Sequence, residues 1–307
     1  MRSKPSRRAL LAIGVLALWL GGLGFLARRE LFRPRLERLT EAGLRIDQYT
    51  SFFGLHAQNG GLVGYASSIV DTTTSEVNIL ETMIREISVR RRTSRRAKIR
   101  LTRTFRLKDF EWAINSDAVN IKATGHIEGD SLIYSISNND AAPTTGSIKL
   151  DGPVLLPNLV PFAVALLDEP KVGRKYTLPV FDPAQRAIVQ VKAEIQKEST
   201  FVLSDSSVLD STTYLWKSIR QVPLKAWLVS SSPGGYNGWL DETGHIVQTS
   251  ELDAEVLRST IEEAFENWLV GVNRRRRAAG LLEPSSDSSP VPRPTRSLPP
   301  GTKGKTP

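Results

Sequence analysis

The sequence contains no cysteine among its 307 residues. That absence excludes disulfides, thiolate metal sites and cysteine nucleophiles. Histidine is scarce as well, since the chain has three, His56, His126 and His245, far apart in sequence. No H-x-H or H-E-x-x-H spacing links them, and a local zinc site requires such spacing. We therefore expect neither a metal site nor a cofactor.

The chain also lacks a recognisable phosphate-binding loop. The glycine-rich stretch at 55–68 contains Gly60, Gly61 and Gly64, which fit neither G-x-G-x-x-G nor G-x-x-x-x-G-K-[ST]. A phosphate loop leads into a helix, whereas the residues that follow here are small and β-branched. Asn59-Gly60 between two apolar runs is typical of a β-hairpin turn, so we expect a hairpin at this position.

The motif "GDSL" at 129–132 matches the nucleophile block of the GDSL esterases, and "SNND" at 137–140 faintly resembles their later asparagine block. Those enzymes place the serine at a strand-to-helix turn and use an Asp-x-x-His pair. Here Ser131 leads into an alternating strand, and the residue three before His245 is Glu242. We therefore expect a hairpin turn, and a hydrolase is the least favoured function.

The net charge of +9 conceals two segments of opposite sign. Residues 85–108 hold 11 Lys or Arg and one acid, whereas residues 109–273 hold 12 basic and 22 acidic residues. A nucleic-acid-binding protein covered in positive charge would not show this division. We therefore expect no nucleic-acid partner.

The amino terminus predicts a membrane anchor. Residues 1–8 are basic, and residues 9–27 are 19 residues without a charge, about 28 Å long as a helix. The alternative is a cleaved signal peptide, whose apolar region is usually shorter. Basic residues flank both sides of this run, so the positive-inside rule is nearly balanced. Because the tail is short and a large domain follows, we expect the tail in the cytoplasm and a single pass through the cytoplasmic membrane.

The rest of the chain reads as mainly β. After a juxtamembrane helix at 28–47, residues 48–272 form the predicted extracytoplasmic domain, and "KIRLTRTFRL" at 98–107 alternates as one half-buried strand. "LPNLVPFAVALLDEP" is a short helix that is apolar all round, with Asn158 available as a cap. Residues 253–269 predict an amphipathic helix, and residues 273–307 predict a disordered tail rich in basic residues, proline and serine.

Four stretches carry a resemblance to known proteins: "VGYASSIVDT", "LTRTFRLKDFEW", "PKVGRKYTLPVFDP" and "WLDETGHIVQ". They resemble an uncharacterised group of bacterial membrane-anchored envelope proteins, and residues 44–270 look loosely similar to the lipoprotein-carrier (Lol) fold. That resemblance implies a curved antiparallel sheet or incomplete barrel, with an apolar concave face covered by short helices. It implies no catalytic residues. The expected fold is thus mainly β (α+β) with two helices and one transmembrane segment.

We therefore predict a non-enzymatic domain that holds an apolar ligand, a lipid or a partner protein on its concave face. The alternative is a structural subunit of an envelope complex with a filled core. Ordinary core packing is the competing interpretation of each candidate ligand-lining residue. These candidates are Phe110, Trp112, Ile114, Leu132, Tyr134, Ile136, Leu159, Phe162 and Leu166.

A second candidate site is the basic stretch after residue 89. It predicts either a solvated strand face or a surface that docks on anionic lipid headgroups, to which each basic residue contributes about 1 kcal/mol. Binding of nucleic acid would require the opposite membrane topology. The candidates are Arg90, Arg91, Arg92, Arg95, Arg96, Lys98, Arg100 and Arg106.

Overall fold

The computed structural model describes residues 43–281, apart from 140, 234–235 and 252. The predicted segments 1–8 and 9–27, most of 28–47 and the tail beyond 281 lie outside the described residues. Within the described part, no helix is both long enough and apolar enough to cross a membrane. The anchor at 9–27 therefore stays a prediction.

The fold is one antiparallel sheet of fourteen strands. Strands β1 to β8 follow one another as a meander, and β14 pairs with β1 so that β13 to β9 continue the sheet on the other side. The strands are β1 (Tyr49–Ala57), β2 (Leu62–Thr72), β3 (Glu76–Glu86), β4 (Arg92–Thr102), β5 (Leu107–Asn115), β6 (Asn120–Glu128), β7 (Ser131–Asn138), β8 (Thr144–Lys149), β9 (Lys175–Asp182), β10 (Ala187–Asp210), β11 (Leu215–Ser232), β12 (Asn237–Leu240), β13 (Ile246–Glu251) and β14 (Ala254–Ser259).

The sheet is curved and does not close, which confirms the predicted curved antiparallel sheet. Its edges are β8 and β9. The segment after β8 protects part of the edge strand β9. Leu155 N donates to Pro179 O at 2.9 Å, and Phe181 N donates to Leu155 O at 2.8 Å. Pairing of this kind satisfies backbone groups that an edge strand would otherwise expose.

Alternating side chains give the sheet an inner face that carries the main core. On β4, Ala97, Ile99 and Leu101 are buried, while Lys98 and Arg100 between them are exposed. This period of two places every second side chain on the same face. The inner faces of the neighbouring strands pack in the same way, and the helix between β8 and β9 covers them.

The predicted short apolar helix is present as α1 (Val160–Leu167), preceded by a 3₁₀ turn at Pro157–Leu159. All but one of its residues are buried, as its lack of a polar face requires. Pro161 lies in the first turn, where a missing N–H costs little. Asn158 is not the cap that the sequence predicts, because its amide donates to the Glu81 carboxylate on β3 instead.

Two predicted hairpin turns are confirmed. The first joins β1 and β2 through residues 58–61, with Gly60 at φ 77° and Gly60 N bonded to Ala57 O at 2.8 Å. The second joins β6 and β7 at the "GDSL" motif, with Gly129 at φ 60°. In both turns glycine supplies the positive φ that other residues adopt at a cost.

The single strand predicted at 98–107 is wrong. β4 ends at Thr102 and a turn intervenes, in which Phe105 has φ 58° and is fully buried. The Thr102 hydroxyl accepts a bond from Arg106 N at 3.1 Å, which stabilises the turn. Arg106 therefore lies in the turn and does not share a strand face with Lys98 and Arg100, because burial of the phenylalanine overrides the alternating pattern.

The helix predicted at 253–269 is wrong in its first half. Residues 254–259 form β14 in the middle of the sheet, where β1 and β13 satisfy its backbone groups on both sides. The helix begins at Ile261 with a π-helical turn at Glu262–Glu266 and continues as α2 (Asn267–Ala278). Partners distant in sequence decide this boundary.

The tail predicted from residue 273 also begins too early, because α2 extends through Ala278. Arg275 Nη2 lies 2.5 Å from the carboxylate of the buried Glu86 on β3, and Trp268 and Val272 of α2 are buried. Arginines in the last turn also suit the negative end of the helix dipole. The run of arginines is therefore part of the folded domain.

Candidate functional site

The inner face of the sheet holds a cleft with two lobes. The first lobe has a volume of about 410 Å³ and lies against β4 to β7, residues 156–158 and the turn at 182–186. Its walls are mostly apolar, which suits a small-molecule pocket of this size. The apolar side chains of this lobe on the strands are Ala97, Ile99, Phe110, Trp112, Ile121 and Ile136.

The second lobe has a volume of about 430 Å³ and lies against β1 to β4, β13 and the start of α1. Phe53, Ala66, Met83 and Val256 contribute its apolar wall. The two lobes adjoin, because four residues line both of them. The shared residues are Arg95, Ala97, Pro157 and Asn158.

The polar side chains of the second lobe include Arg95, Glu81, Asn158 and Tyr236, and Arg95 and Asn158 also line the first lobe. In the register of β3 and β4, Glu81 lies opposite Ala97 and Met83 lies opposite Arg95. Glu81 and Arg95 are therefore diagonal neighbours on the inner face, within reach of long side chains. The Glu81 carboxylate accepts a hydrogen bond from the Asn158 amide.

Tyr236 lines the second lobe, and its hydroxyl is buried. The residue as a whole is half-buried, but its hydroxyl oxygen is inaccessible to solvent and has no hydrogen-bond partner among the described residues. Burial raises the pKa of Tyr236 well above its usual value, and the nearby Glu81 charge adds to the shift. The hydroxyl is therefore a protonated donor. A buried donor without a partner costs stability.

A second polar network holds the turn between β12 and β13. Asp241 is 5% exposed and accepts bonds from Thr243 N at 3.0 Å, Thr243 Oγ1 at 2.6 Å, His245 N at 2.9 Å and Arg258 Nη2 at 2.9 Å. Burial alone would raise the pKa of Asp241, but the Arg258 guanidinium and the Thr243 hydroxyl outweigh it and hold the pKa below its usual value. Asp241 is therefore an ionised anchor for the turn.

His245 belongs to the same network and packs on Tyr49, with the ring centroids 3.4 Å apart. Burial lowers the pKa of His245 to about 4, although the Asp241 charge opposes the shift. The hydroxyl bonded to His245 Nδ1 belongs to Thr243, which also bonds Asp241. The group thus secures a turn, and it differs from a nucleophile–base–carboxylate relay.

The predicted ligand-lining residues separate into two groups. Phe110, Trp112 and Ile136 line the first lobe. The others line neither lobe. Leu132, Leu159 and Phe162 are buried in the core, Tyr134 and Leu166 pack partly against it, and Ile114 is half-buried. The cleft lies beside the start of α1 rather than beneath the helix.

The basic residues predicted to dock on lipid headgroups also divide into two groups. Arg90, Arg91, Arg92, Arg96, Lys98, Arg100 and Arg106 are exposed, whereas Arg95 lines the cleft. Arg100 pairs with Asp109, with Nε 2.8 Å from each carboxylate oxygen. Exposed pairs of this kind add little stability.

Sequence reasoning missed Arg95, Glu81, Asn158 and Tyr236 as cleft residues. For Arg95 and Glu81, which lie on strands, the alternating sequence pattern provided a signal. Arg95 has the same parity as Ala97 and Ile99, and Glu81 has the same parity as Ile79, so both point inward. For Asn158 and Tyr236, which lie outside strands, no comparable pattern exists.

The "GDSL" motif lies in a turn. Gly129 has φ 60°, and Ser131 is the first residue of β7. Its hydroxyl lies 3.3 Å from Asp130 Oδ1, and no hydrogen bond in the described part of the chain joins it to a histidine. Residues 43–281, with the gaps given above, also contain no group of His, Cys, Asp and Glu that could hold a metal ion.

Comparisons with known proteins identify no family. No family model and no curated protein matches the chain. Among solved structures, it is similar to a beta-barrel-like protein of the domain of unknown function DUF1849 from Brucella abortus. The identity is 14%, the match covers 70% of this chain and 96% of that one, and the TM-score is 0.42.

A DUF1089 family protein from Pseudomonas aeruginosa is also similar, at 14% identity and a TM-score of 0.30, over 61% of this chain and 90% of that one. Neither likeness bears on activity, because both TM-scores are below 0.5. Neither protein is described as a lipoprotein carrier, so that resemblance stays a prediction.

Proposed function

We propose that this domain binds a small apolar or amphipathic molecule in the two-lobed cleft and does not transform it chemically. The single observation that carries the proposal is the lobe of about 410 Å³ bounded by Phe110, Trp112, Ile121 and Ile136. An apolar concave space of this size is typical of sites that bind small molecules.

We further propose that residues 9–27 tether the domain to the cytoplasmic membrane, with the amino terminus inside. The charge-free run supports this part of the proposal. The exposed cations along β4, including Arg92, Arg96 and Lys98, would then face anionic headgroups. Replacing these three with glutamine should weaken binding of the full-length protein to anionic vesicles, and unchanged binding would exclude docking by this face.

Native mass spectrometry tests the ligand proposal. Full-length protein extracted from the membranes in which it is expressed should carry a bound amphiphile after the detergent is removed. Ala184→Phe should abolish that retention, because Ala184 is exposed and borders the first lobe. Gln185→Phe is the matched control, since this neighbour is exposed and does not line the lobe. Repeated recovery of ligand-free wild-type protein would contradict the proposal.

One observation favours a second candidate function, assembly with an envelope protein. β10 and β11 continue as a two-stranded ribbon beyond their pairing with β9 and β12. This ribbon exposes apolar side chains, with Val202 62%, Tyr214 70% and Ile219 65% exposed. Apolar groups clustered on one exposed element are typical of protein contact surfaces.

A photo-crosslinking amino acid tests this alternative. Placed at Ile219 in the full-length protein, it should give one discrete adduct with an envelope protein in living cells. Placed at Val172, an exposed valine outside the ribbon, it should give none. Equal or absent crosslinking at the two positions would count against assembly through the ribbon.

A further inference from the structure

We infer that the cleft selects an amphiphile with a singly charged anionic headgroup, held at Arg95, with its apolar tail in the first lobe. This inference rests on the proposed function and specifies its ligand. It follows from where the charges lie along the cleft.

Arg95 is placed to receive an anion. It lines both lobes, and Ala97, its neighbour on the same strand face, is only 2% exposed. Among the described residues it is the only Lys or Arg that lines the second lobe, and the first lobe adds only Arg186 of an exposed turn. A guanidinium offers paired donors that match a carboxylate or a phosphodiester, and its bonds strengthen away from water.

One neighbour of Arg95 refines the class of headgroup. Glu81 is diagonal to Arg95 on the inner face, and its negative charge disfavours a second charge on the ligand. A carboxylate, a sulfate ester or a phosphodiester therefore suits the site better than a dianionic phosphate monoester.

The tail belongs in the first lobe because most of that wall is apolar, although Glu111, Asp182 and Arg186 also line it. Ile99, Phe110, Trp112, Ile121 and Ile136 all border this space. Transfer of each methylene group from water into such surroundings favours binding. The charge at the junction and the apolar wall beside it thus match the two ends of an amphiphile.

Fluorescence quenching of Trp112 tests the inference in full-length protein held in lipid nanodiscs. The probes are 9,10-dibromostearate and its uncharged methyl ester, because bromine quenches tryptophan only at short range. The chain has five other tryptophans, so the signal of Trp112 is obtained by difference. Quenching of Trp112 is the quenching seen in wild-type protein that is lost in a Trp112→Phe variant. Wild-type protein should bind the acid more tightly than the ester.

Arg95→Gln should weaken binding of the acid by about 10- to 100-fold, the range expected for a charged hydrogen bond, and leave the ester unchanged. Arg96→Gln is the matched control, because Arg96 is next in sequence but exposed on the other face. Retained binding of the ester also shows that the Arg95 variant is folded.

Three results distinguish failure of the headgroup site from failure of the proposed function. Unchanged binding of the acid by Arg95→Gln, or equal wild-type affinity for acid and ester, would overturn the headgroup site while leaving the cleft as a ligand site. No quenching of Trp112 by either probe in wild-type protein would overturn the proposed function itself. Glu81→Gln gives an independent measurement: it should tighten acid binding a few-fold without affecting the ester, and weaker acid binding would contradict the inference.

Discussion

The thermal stability of this domain should fall in mild acid because of one buried histidine. His245 is 20% exposed at its side chain, lies against Tyr49 and has a pKa lowered to about 4 from an ordinary value of 6.5. The unfolded chain therefore binds a proton at a higher pH than the folded chain does. Between about pH 6.5 and 4 the unfolded state gains protons first, so stability rises with pH across this window and is lost as pH falls.

The size of the effect follows from the two pKa values. At pH 5 the unfolded histidine is almost fully protonated and the folded one is mostly neutral, which costs about 2 kcal/mol relative to pH 7.5. In a domain of this size that corresponds to a decrease of about 4–8 °C in Tm. Asp241 does not contribute in this window, because its lowered pKa places its loss of stability below about pH 4.

The assay is the Tm of full-length protein in nanodiscs between pH 5 and 7.5 at constant ionic strength. His245→Gln should flatten the dependence by about the amount given above. His126→Gln, an exposed position on β6, is the matched control and should keep the wild-type slope. If His245→Gln keeps that slope, burial of this imidazole does not control the acid response.

The same turn yields two further predictions. Arg258→Met should lower the free energy of unfolding by about 3–5 kcal/mol, since it leaves the buried charge of Asp241 unpaired. Arg100→Met breaks an exposed pair and should lower the free energy of unfolding far less, as a urea titration of each variant measures. Gly244→Ala should lower the free energy of unfolding more than Gly173→Ala does. Both glycines have φ above 80°, but a Cβ at 244 would lie 3.0 Å from the backbone of α1, whereas a Cβ at 173 would meet nothing within 4 Å. Equal losses for either pair of variants would contradict the reasoning.

Part of the candidate site was predictable and part was not. Phe110, Trp112 and Ile136 alternate on predicted strands, and they do line the cleft. Leu132 carries the same pattern and is an ordinary core residue, because it packs in the cluster that also contains the buried residues of α1. A period of two assigns a side chain to a face, but it cannot tell a filled region of that face from an empty one.

Local chemistry in the sequence determined the antiparallel β architecture, the hairpins at Asn59-Gly60 and Gly129, and the buried apolar helix α1. These features depend on side-chain period and on turn residues that need a positive φ, so neighbours in sequence suffice. Tertiary structure alone decided that residues 254–259 are a strand, that Arg95 shares a cleft with Glu81 and Tyr236, and that Phe105 interrupts a strand. Each of these depends on partners distant in the chain, whose burial and hydrogen bonds outweigh local preference.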